Sequence, residues 1–366
     1  MMNTPPRAAG TPPLQPSRIG IYGGTFNPPH LGHRAAALFF AASLQLGQVL
    51  IVPAKEAPLR AAPLVSGDDR FELCRLTFPF PVSDMELRRP GVSYTVDTLR
   101  ALRAEHPGAK FFLLVGEDQR DKFRRWKDWE EILRLAELCV LPRAGEGRDG
   151  FAPVEISSTQ LRLKLLLGED CSAWLAPEAL AYIHEKRLYQ PLTPERLYHS
   201  RCVAQAAEAL ALRYGADSAK ARLAGLLHDC AKSMPFEALE ALCERYGKPL
   251  TAHELAAPQV CHAFAGEAYL ALECGVTDPE VLSAMRWHTT GHAGMTLLEE
   301  CVFVGDLVSA DRDYPDVARV RALAARDLRA ASKYILEYMI SARKKAGKIV
   351  HPASLAWYNA LTGSTR

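Results

Sequence analysis

The chain has 366 residues, of which 48% are hydrophobic and 23% are charged, and its formal net charge at pH 7 is +2. This length and composition suit two ordinary globular domains better than one unusually large domain. The charge is nearly balanced and the arginines are spread along the whole chain. The sequence therefore argues against nucleic acid as a partner and favours small-molecule substrates.

The cysteines and the apolar segments indicate a cytoplasmic protein. Nine cysteines occur singly, without a C-x-x-C pair, which is typical of reduced thiols. Residues 1–17 carry five prolines and no apolar run, a pattern that predicts a disordered tail and not a signal peptide. Polar residues interrupt the longest apolar region, residues 35–54, which predicts a helix plus a strand. We expect no membrane partner.

The first chemical motif is the string Gly-Gly-Thr-Phe-Asn-Pro-Pro-His-Leu-Gly-His at residues 23–33. An apolar run precedes it and an alanine-rich segment of helical periodicity follows, which predicts a strand, a glycine turn and a helix. Backbone N–H groups at Gly23 and Gly24, together with the helix start, form an anion site in this arrangement. His30 and His33 are expected on one face of the first helical turn, directed at the same ligand.

The following segments predict further βα units. Strands are expected at 48–53, 110–118 and 138–142, and a helix at 70–77. The strand at 110–118 ends in a turn with Gly116 and Asp118, where open α/β sheets place ligand contacts. Residues 156–162 are predicted to end a strand and begin a helix. There Ser158 or Thr159 could cap the helix and Arg162 could reach a phosphate.

The strings at residues 23–33 and 156–162 resemble two signatures of the nucleotidyltransferase superfamily. Over about residues 18–190 the sequence also resembles the bacterial nicotinate-nucleotide adenylyltransferases, the NadD family. That resemblance rests on the 93–95 and 97–99 strings, the Gly116-x-Asp118 turn, Trp126, and the Trp174-Leu175-x-Pro177 string before a helix with Tyr182-Ile183. It implies a Rossmann-like α/β fold. One departure is Ala57-Pro58-Leu59-Arg60, where the family usually has a histidine at the position of Leu59.

The same resemblance implies substrates and site residues. It gives ATP, nicotinate mononucleotide and Mg²⁺ held largely by ATP oxygens and water. His30, His33 and Arg162 are assigned to the triphosphate and to the charge that develops during transfer. The implied ATP contacts are Gly23, Gly24, Thr25, Phe26, His30, His33, Gly116, Asp118, Ile156, Ser157, Ser158 and Arg162. The implied contacts with nicotinate mononucleotide are Lys55, Ser93, Tyr94, Thr95 and Trp126.

The second half is predicted to be all-α. After a proline-rich linker at 190–194, helical periodicity covers 196–213, 218–231, 235–246, 251–257, 262–274, 278–288, 297–310 and 316–343. Imidazole and carboxylate groups recur on five of these helices: His199, His228, Asp229, His262, His288 and Asp306. Each such group must find a partner if it is buried, and a metal ion would supply one.

The order of these residues resembles the HD-domain phosphohydrolases, and more closely the YqeK group of symmetrical bis(5′-nucleosyl)-tetraphosphatases, over about residues 195–360. The resemblance implies one metal held by His199, His228, Asp229 and Asp306, and a second held by His262 and His288, with Asp229 bridging. It favours iron, and diadenosine tetraphosphate as a substrate that yields two ADP. The implied polyphosphate contacts are Lys232, Arg286 and Arg312. Gly305 departs from the alanine usual before the aspartate.

The expected organisation is thus a tail at 1–17, an adenylyltransferase domain at 18–190 and an HD-domain phosphohydrolase at 195–366. Two sets of alternatives stay open. The first domain could use nicotinamide mononucleotide or another acceptor. The second could be a nucleotide phosphohydrolase of other specificity or a regulatory module that senses a nucleotide. The sequence leaves open whether the chain forms a homo-oligomer and whether the two sites are coupled.

Overall fold

The computed structural model describes residues 17–56, 64–141, 154, 156–190 and 192–363. Its internal contacts divide the chain into two units, residues 1–155 with 174–179, and residues 156–173 with 180–366. Most of the predicted tail, the 57–60 loop, Pro142 and Pro191 lie outside the described residues. Residues 156–173 group with the second unit, although the sequence interpretation put them in the first domain. The boundaries at 18–190 and 195–366 stay predictions.

The described residues of the first unit form a parallel sheet in the order β2-β1-β3-β4. Its strands are β1 (Arg18–Gly24), β2 (Gln48–Pro53), β3 (Lys110–Val115) and β4 (Ala136–Val140). Ile21 of β1 pairs with Leu50 of β2 on one side and with Leu113 of β3 on the other. The strand predicted at 110–118 ends earlier because Gly116 already caps the next helix.

Helices cover both faces of this sheet. They are α1 (Leu31–Ser43), α2 (Gly67–Thr77), α3 (Met85–Arg88), α4 (Thr95–Glu105), α5 (Glu117–Arg120) and α6 (Trp129–Leu135), with a 3₁₀ turn at Phe123–Arg125. Side chains of β3 alternate between the faces, so Phe111 and Leu113 join the core with α4 and α6, while Phe112 and Leu114 join the core with α1 and α2. The predicted α/β class is confirmed.

The described residues of the second unit are helical. The segment α7 (Ser158–Leu166) belongs to this unit, and α8 (Pro177–Lys186) begins among the first unit's residues. The remaining helices are α9 (Pro194–Tyr214), α10 (Ser218–Leu227), α11 (Phe236–Arg245), α12 (Ala252–Leu255), α13 (Cys261–Leu272), α14 (Pro279–Trp287), α15 (Leu297–Val308), α16 (Val317–Ala324), α17 (Leu328–Lys345) and α18 (Pro352–Thr362), with a 3₁₀ turn at Pro258–Val260. The predicted all-α class is confirmed.

Three local predictions for this unit were wrong. The helix predicted at 316–343 is two helices, because the Asp327 side chain accepts from the N–H of Ala330 and starts α17 anew. The strand expected to end at Ile156 is absent at the described residues 154 and 156. Ser157 rather than Ser158 or Thr159 caps α7, accepting from the N–H of Gln160, 3.1 Å away.

Close helix approach shapes the core of the second unit. α10 lies against α9 at Gly225, where an added Cβ would stand only 2.9 Å from the Cα of Ala204. This packing brings the C-terminal end of α10 toward the first half of α9.

No helix among the described residues combines the length and the apolar character needed to cross a membrane.

Candidate nucleotide site and candidate metal centre

The turn after β1 places the two motif histidines against each other. His30 is the N-cap residue of α1 and His33 lies in its first turn. Their ring centroids are 3.7 Å apart, and the backbone N–H of His30 donates to Nδ1 of His33 over 3.3 Å. This pairing agrees with the expectation that both rings share one face of the helix start.

His30 is buried and carries an unsatisfied polar atom. The residue is 6% exposed, and its Nδ1 has no hydrogen-bond partner among the described residues. Burial lowers the pKa of His30 to about 4. The imidazole is therefore neutral near pH 7 and acts as a hydrogen-bonding group rather than as a fixed charge.

The glycines of the turn serve packing as well as access. Phe26 has a positive φ of 48°, and its ring lies over Gly24, where an added Cβ would stand 3.0 Å from the ring. The same ring packs edge-on against His33, with centroids 5.3 Å apart. Thr25 lies between Gly24 and Phe26 and so belongs to this compact turn, which supports the ring of His33 through Phe26.

Two residues assigned to nicotinate mononucleotide meet at the end of β2. The backbone N–H of Lys55 donates to the Oγ of Ser93 over 3.2 Å, and the N–H of Ser93 donates to the carbonyl of Glu56 over 2.9 Å. Tyr94 caps α4, Thr95 is its first residue, and Trp126 packs on Phe123 with ring centroids 5.4 Å apart. The structure therefore joins Lys55 to the 93–95 segment, whereas the described contacts place Trp126 on the sheet core.

The second ATP signature lies in the helical unit. Arg162 Nε donates to the carbonyl of Glu273 and stands 3.7 Å from its carboxylate, and Nη2 donates to the Oγ1 of Thr159 over 3.1 Å. These contacts differ from the phosphate role expected for Arg162, which rests on the motif alone. Ile156, Ser157 and Ser158 lie at the start of the same helix. Gly116 is the N-cap of α5, and the side chain of Asp118 lies outside the described residues.

Six predicted ligands converge in the helical unit. His199 lies in α9, His228 and Asp229 directly follow α10, His262 lies in α13, His288 directly follows α14, and Asp306 lies in α15. Two groups have ligand atoms close enough to hold a metal ion, namely His199, His228 and Asp229, and Asp229, His262 and His288. Both contain Asp229. Asp306 joins the first group, with Oδ1 3.1 Å from Nε2 of His199.

Hydrogen bonds on the far side of three rings fix their orientation. Nδ1 of His228 donates to the carbonyl of Gly225, and Nδ1 of His288 donates to the carbonyl of Met285, each over 2.7 Å. Nδ1 of His199 lies 2.7 Å from Oδ2 of Asp311. A carbonyl only accepts, so the Nε2 atoms of His228 and His288 keep their lone pairs. Nε2 of His228 is buried without a partner among the described residues, and this donor set suits a metal ion.

Burial and the neighbouring imidazoles set the charges of the centre. Burial lowers the pKa of His228 and of His262 to about 4. Burial alone would raise the pKa of Asp229, but the hydrogen bond from His262 and the neighbouring imidazole of His288 outweigh it and hold that pKa well below its usual range. Burial also opposes ionisation of Asp306, and the hydrogen bond from His199 likewise lowers its pKa. Neutral imidazoles and ionised carboxylates are the forms that bind metals.

Two of the three cations assigned to polyphosphate lie at the centre. Lys232 Nζ is 3.1 Å from Nε2 of His262, and Arg312 donates to Asp306. Arg286 instead donates to the buried carboxylate of Glu267 over 2.6 Å, and its guanidinium lies over the ring of Phe264. Its described contacts are thus those of a packing residue.

Sequence reasoning missed Arg196 and Asp311. Arg196 Nη1 donates to Oδ2 of Asp229 over 3.0 Å, and Asp311 holds the ring of His199. Arg196 lies one helical turn before His199, a spacing that could have drawn attention to it. Asp311 is 112 residues from His199, and only the fold brings the two together.

Comparisons with known proteins agree with the two halves. The cytidylyltransferase-like family matches residues 21–164, and the HD domain family matches residues 196–324. A probable nicotinate-nucleotide adenylyltransferase of Hydrogenovibrio crunogenus is 36% identical over 204 residues, which cover 47% of this chain and 97% of that protein. A symmetrical bis(5′-nucleosyl)-tetraphosphatase of Bacillus subtilis is 37% identical over 190 residues, which cover 51% of this chain and 98% of that protein.

Among solved structures, a predicted HD superfamily hydrolase involved in NAD metabolism from Clostridium acetobutylicum is 31% identical, with 48% of this chain and 93% of that chain covered and a TM-score of 0.47. The two curated relatives are covered almost completely and are more than 30% identical. The chain therefore belongs to the nicotinate-nucleotide adenylyltransferase family in its N-terminal half and to the symmetrical bis(5′-nucleosyl)-tetraphosphatase family of HD-domain proteins in its C-terminal half.

Proposed function

We propose that the first unit transfers the adenylyl group of ATP to nicotinate mononucleotide, giving deamido-NAD and pyrophosphate. The observation that carries this proposal is the close pair of His30 and His33 rings at the start of α1, with centroids 3.7 Å apart. The acceptor's 5′-phosphate attacks the α-phosphorus of ATP in line, and pyrophosphate leaves. The acceptor phosphate is already ionised, so the chain needs to supply orientation and charge stabilisation rather than a nucleophile or a base.

The residues of the first unit divide this work. The rings of His30 and His33 would donate hydrogen bonds to triphosphate oxygens, beside the N–H groups of the helix start. Lys55 and the 93–95 segment, joined through the Lys55–Ser93 hydrogen bond, hold the acceptor. Mg²⁺, when bound to the nucleotide, would supply neutralisation of phosphate charge. The phosphate role of Arg162, a residue of the second unit, stays a prediction that rests on its motif alone.

Acceptor choice tests this proposal. With the full chain, kcat/KM should be higher for nicotinate mononucleotide than for nicotinamide mononucleotide, because the 93–95 string and Trp126 resemble the acid-specific branch. His30→Ala and His33→Ala should each lower the rate by about 10²–10³. Equal kcat/KM values for the two acceptors would favour the broader-specificity alternative, and near-normal turnover in both histidine variants would exclude their assignment.

We further propose that the second unit hydrolyses diadenosine tetraphosphate symmetrically to two ADP. The carrying observation is that two potential metal-binding groups share Asp229. His199, His228, Asp229 and Asp306 would hold one metal, and Asp229, His262 and His288 the second. Iron is the proposed metal, since mixed imidazole and carboxylate ligation suits such ions. When bound, the pair supplies Lewis acidity and an activated water for attack on a phosphoanhydride.

The chain's own residues orient the reacting groups in this second reaction. Gly225, Met285 and Asp311 fix the rings of His228, His288 and His199. Lys232 and Arg312, which contact His262 and Asp306, would balance polyphosphate charge. The same role for Arg286, whose described contacts are with Glu267 and Phe264, stays a prediction.

Product analysis separates the candidate functions of the second unit. The full chain, loaded with iron and given diadenosine tetraphosphate, should release ADP as the only nucleotide. A mixture of ATP and AMP would exclude symmetrical cleavage. Binding without hydrolysis, at full metal occupancy, would favour a nucleotide-sensing module instead.

A further inference from the structure

Arg70 lies under the first unit's nucleotide site with its whole side chain buried. It belongs to the first turns of α2 and is 2% exposed. Its Nη1 donates to the carbonyls of Thr25 and Ala54, each over 2.7 Å. Nη2 donates to the carbonyl of Lys55 over 3.3 Å, and Nε donates to the carbonyl of Val65 over 3.4 Å.

These carbonyls come from three separate chain segments. Thr25 belongs to the turn that carries the motif histidines, Ala54 and Lys55 follow β2, and Val65 precedes α2. One planar guanidinium therefore ties the turn after β1 to the segment after β2. The fork geometry matters, because an ammonium group is a point donor and could not reach carbonyls on three segments at once.

The linkage extends from Arg70 into the acceptor segment. Lys55, whose carbonyl accepts from Arg70, donates its own backbone N–H to the Oγ of Ser93. The backbone N–H of Ser93 in turn donates to the carbonyl of Glu56. The N–H of Ala54 donates to the carbonyl of Gly24 over 2.9 Å, which closes the connection on the nucleotide side. Arg70 is thus placed between the residues proposed to bind the two substrates.

We propose that Arg70 is a positioning residue for adenylyl transfer, which sets the distance between the ATP turn at Thr25 and the acceptor segment at Lys55. The inference rests on the proposed function of the first unit. In-line attack requires the acceptor oxygen and the α-phosphorus to approach within about 3–3.5 Å, and a misplacement of about 1 Å costs roughly 10²-fold in rate. Loss of the fork should therefore lower kcat while each substrate still binds to its own segment.

The test uses Arg70→Lys in the full chain, with kcat and KM measured for ATP and for nicotinate mononucleotide. We expect kcat to fall about 10- to 100-fold, in line with the cost of such a misplacement, while both KM values change less than about threefold. Arg100→Lys is the matched control, because Arg100 is an exposed arginine of the same unit paired with Asp97 and Glu131. Hydrolysis of diadenosine tetraphosphate by the same sample reports on the rest of the chain.

A chemical rescue separates positioning from general support of the fold. Arg70→Ala leaves room for a free guanidinium ion, which at millimolar concentration should restore part of kcat with saturation, whereas urea and sodium chloride should not. Normal kcat in Arg70→Lys would overturn the proposal. So would a kcat loss that merely follows the folded fraction and is not rescued by guanidinium. Failure of the proposed function would show separately, as absence of adenylyl transfer in the wild-type chain.

Discussion

Gly225 offers a test of how helix packing sets the metal centre. An alanine there would put its Cβ 2.9 Å from the Cα of Ala204 and 3.1 Å from the carbonyl oxygen of Val203. Carbon atoms normally approach to about 3.5–4.0 Å, so α10 must move away from α9 by about half an ångström. His228 follows α10 and His199 lies in α9, and their ring centroids are 5.2 Å apart. The substitution should therefore separate two proposed ligands of one metal.

The stability change is the difference of two terms. Overpacking typically costs about 1–3 kcal/mol, and replacing a helical glycine by alanine returns up to about 1 kcal/mol. The free energy of unfolding should fall by about 0–3 kcal/mol. The loss of metal affinity should be larger than the loss of stability, because the carbonyl of Gly225 also accepts the hydrogen bond that orients His228. Perturbing such support typically costs about 10- to 100-fold in metal affinity.

Calorimetric titration of the metal-depleted full chain with Mn²⁺ measures this effect, alongside urea unfolding. We expect the affinity of the group containing His199 and His228 to fall at least tenfold, and that of the group containing His262 and His288 to fall less. Gly305→Ala is the graded control, because its Cβ would stand 3.1 Å from the nearest atom, the backbone N of Ala207. A Gly225→Ala chain with unchanged Mn²⁺ affinity and a gain of about 1 kcal/mol in stability would refute the packing argument.

Three further variants test other parts of the molecule. Burial holds the pKa of His30 near 4, below the ordinary value of about 6.5. The free energy of unfolding should therefore fall by on the order of 3 kcal/mol as the pH drops from about 6.5 to about 4. Urea midpoints should show this loss of stability in the wild type and not in His30→Gln. Asp229→Ala should release metal, detected by elemental analysis, and abolish tetraphosphate hydrolysis while adenylyl transfer persists. The control His292→Ala should retain the metal. Arg162→Ala should lower the unfolding free energy by about 1–3 kcal/mol, since the buried carbonyl of Glu273 loses its charged donor; an unchanged urea midpoint would contradict that pairing.

The nucleotide turn could be predicted from the sequence because its determinants are local. Gly23, Gly24, His30 and His33 lie within eleven residues, and the strand–turn–helix pattern fixes their relation. The candidate metal ligands of the helical unit were also predicted from residue order once a family was identified, and the fold brings them together. Its geometry did not, because it depends on five helices packing around one carboxylate, that of Asp229.

Long-range partners escaped prediction for the same reason. Arg196 pairs with Asp229 and Asp311 with His199 only through the packing of helices distant in sequence. Arg286 lies two residues before His288 in the sequence, and its proposed contact with the polyphosphate stays a prediction; in the structure it pairs with Glu267. A cation's role depends on which carboxylate the fold brings to it, and the sequence pattern does not contain that information.

The departure at Gly305 has a packing explanation. α15 lies against α9 at this point, and a Cβ on Gly305 would stand 3.1–3.2 Å from backbone N, Cα and Cβ of Ala207. The carboxylate of Asp306, the next residue, accepts from Nε2 of His199, which lies on the same α9 helix. The glycine therefore lets α15 approach α9 closely enough for that contact. An alanine at position 305 would require the two helices to lie a few tenths of an ångström further apart.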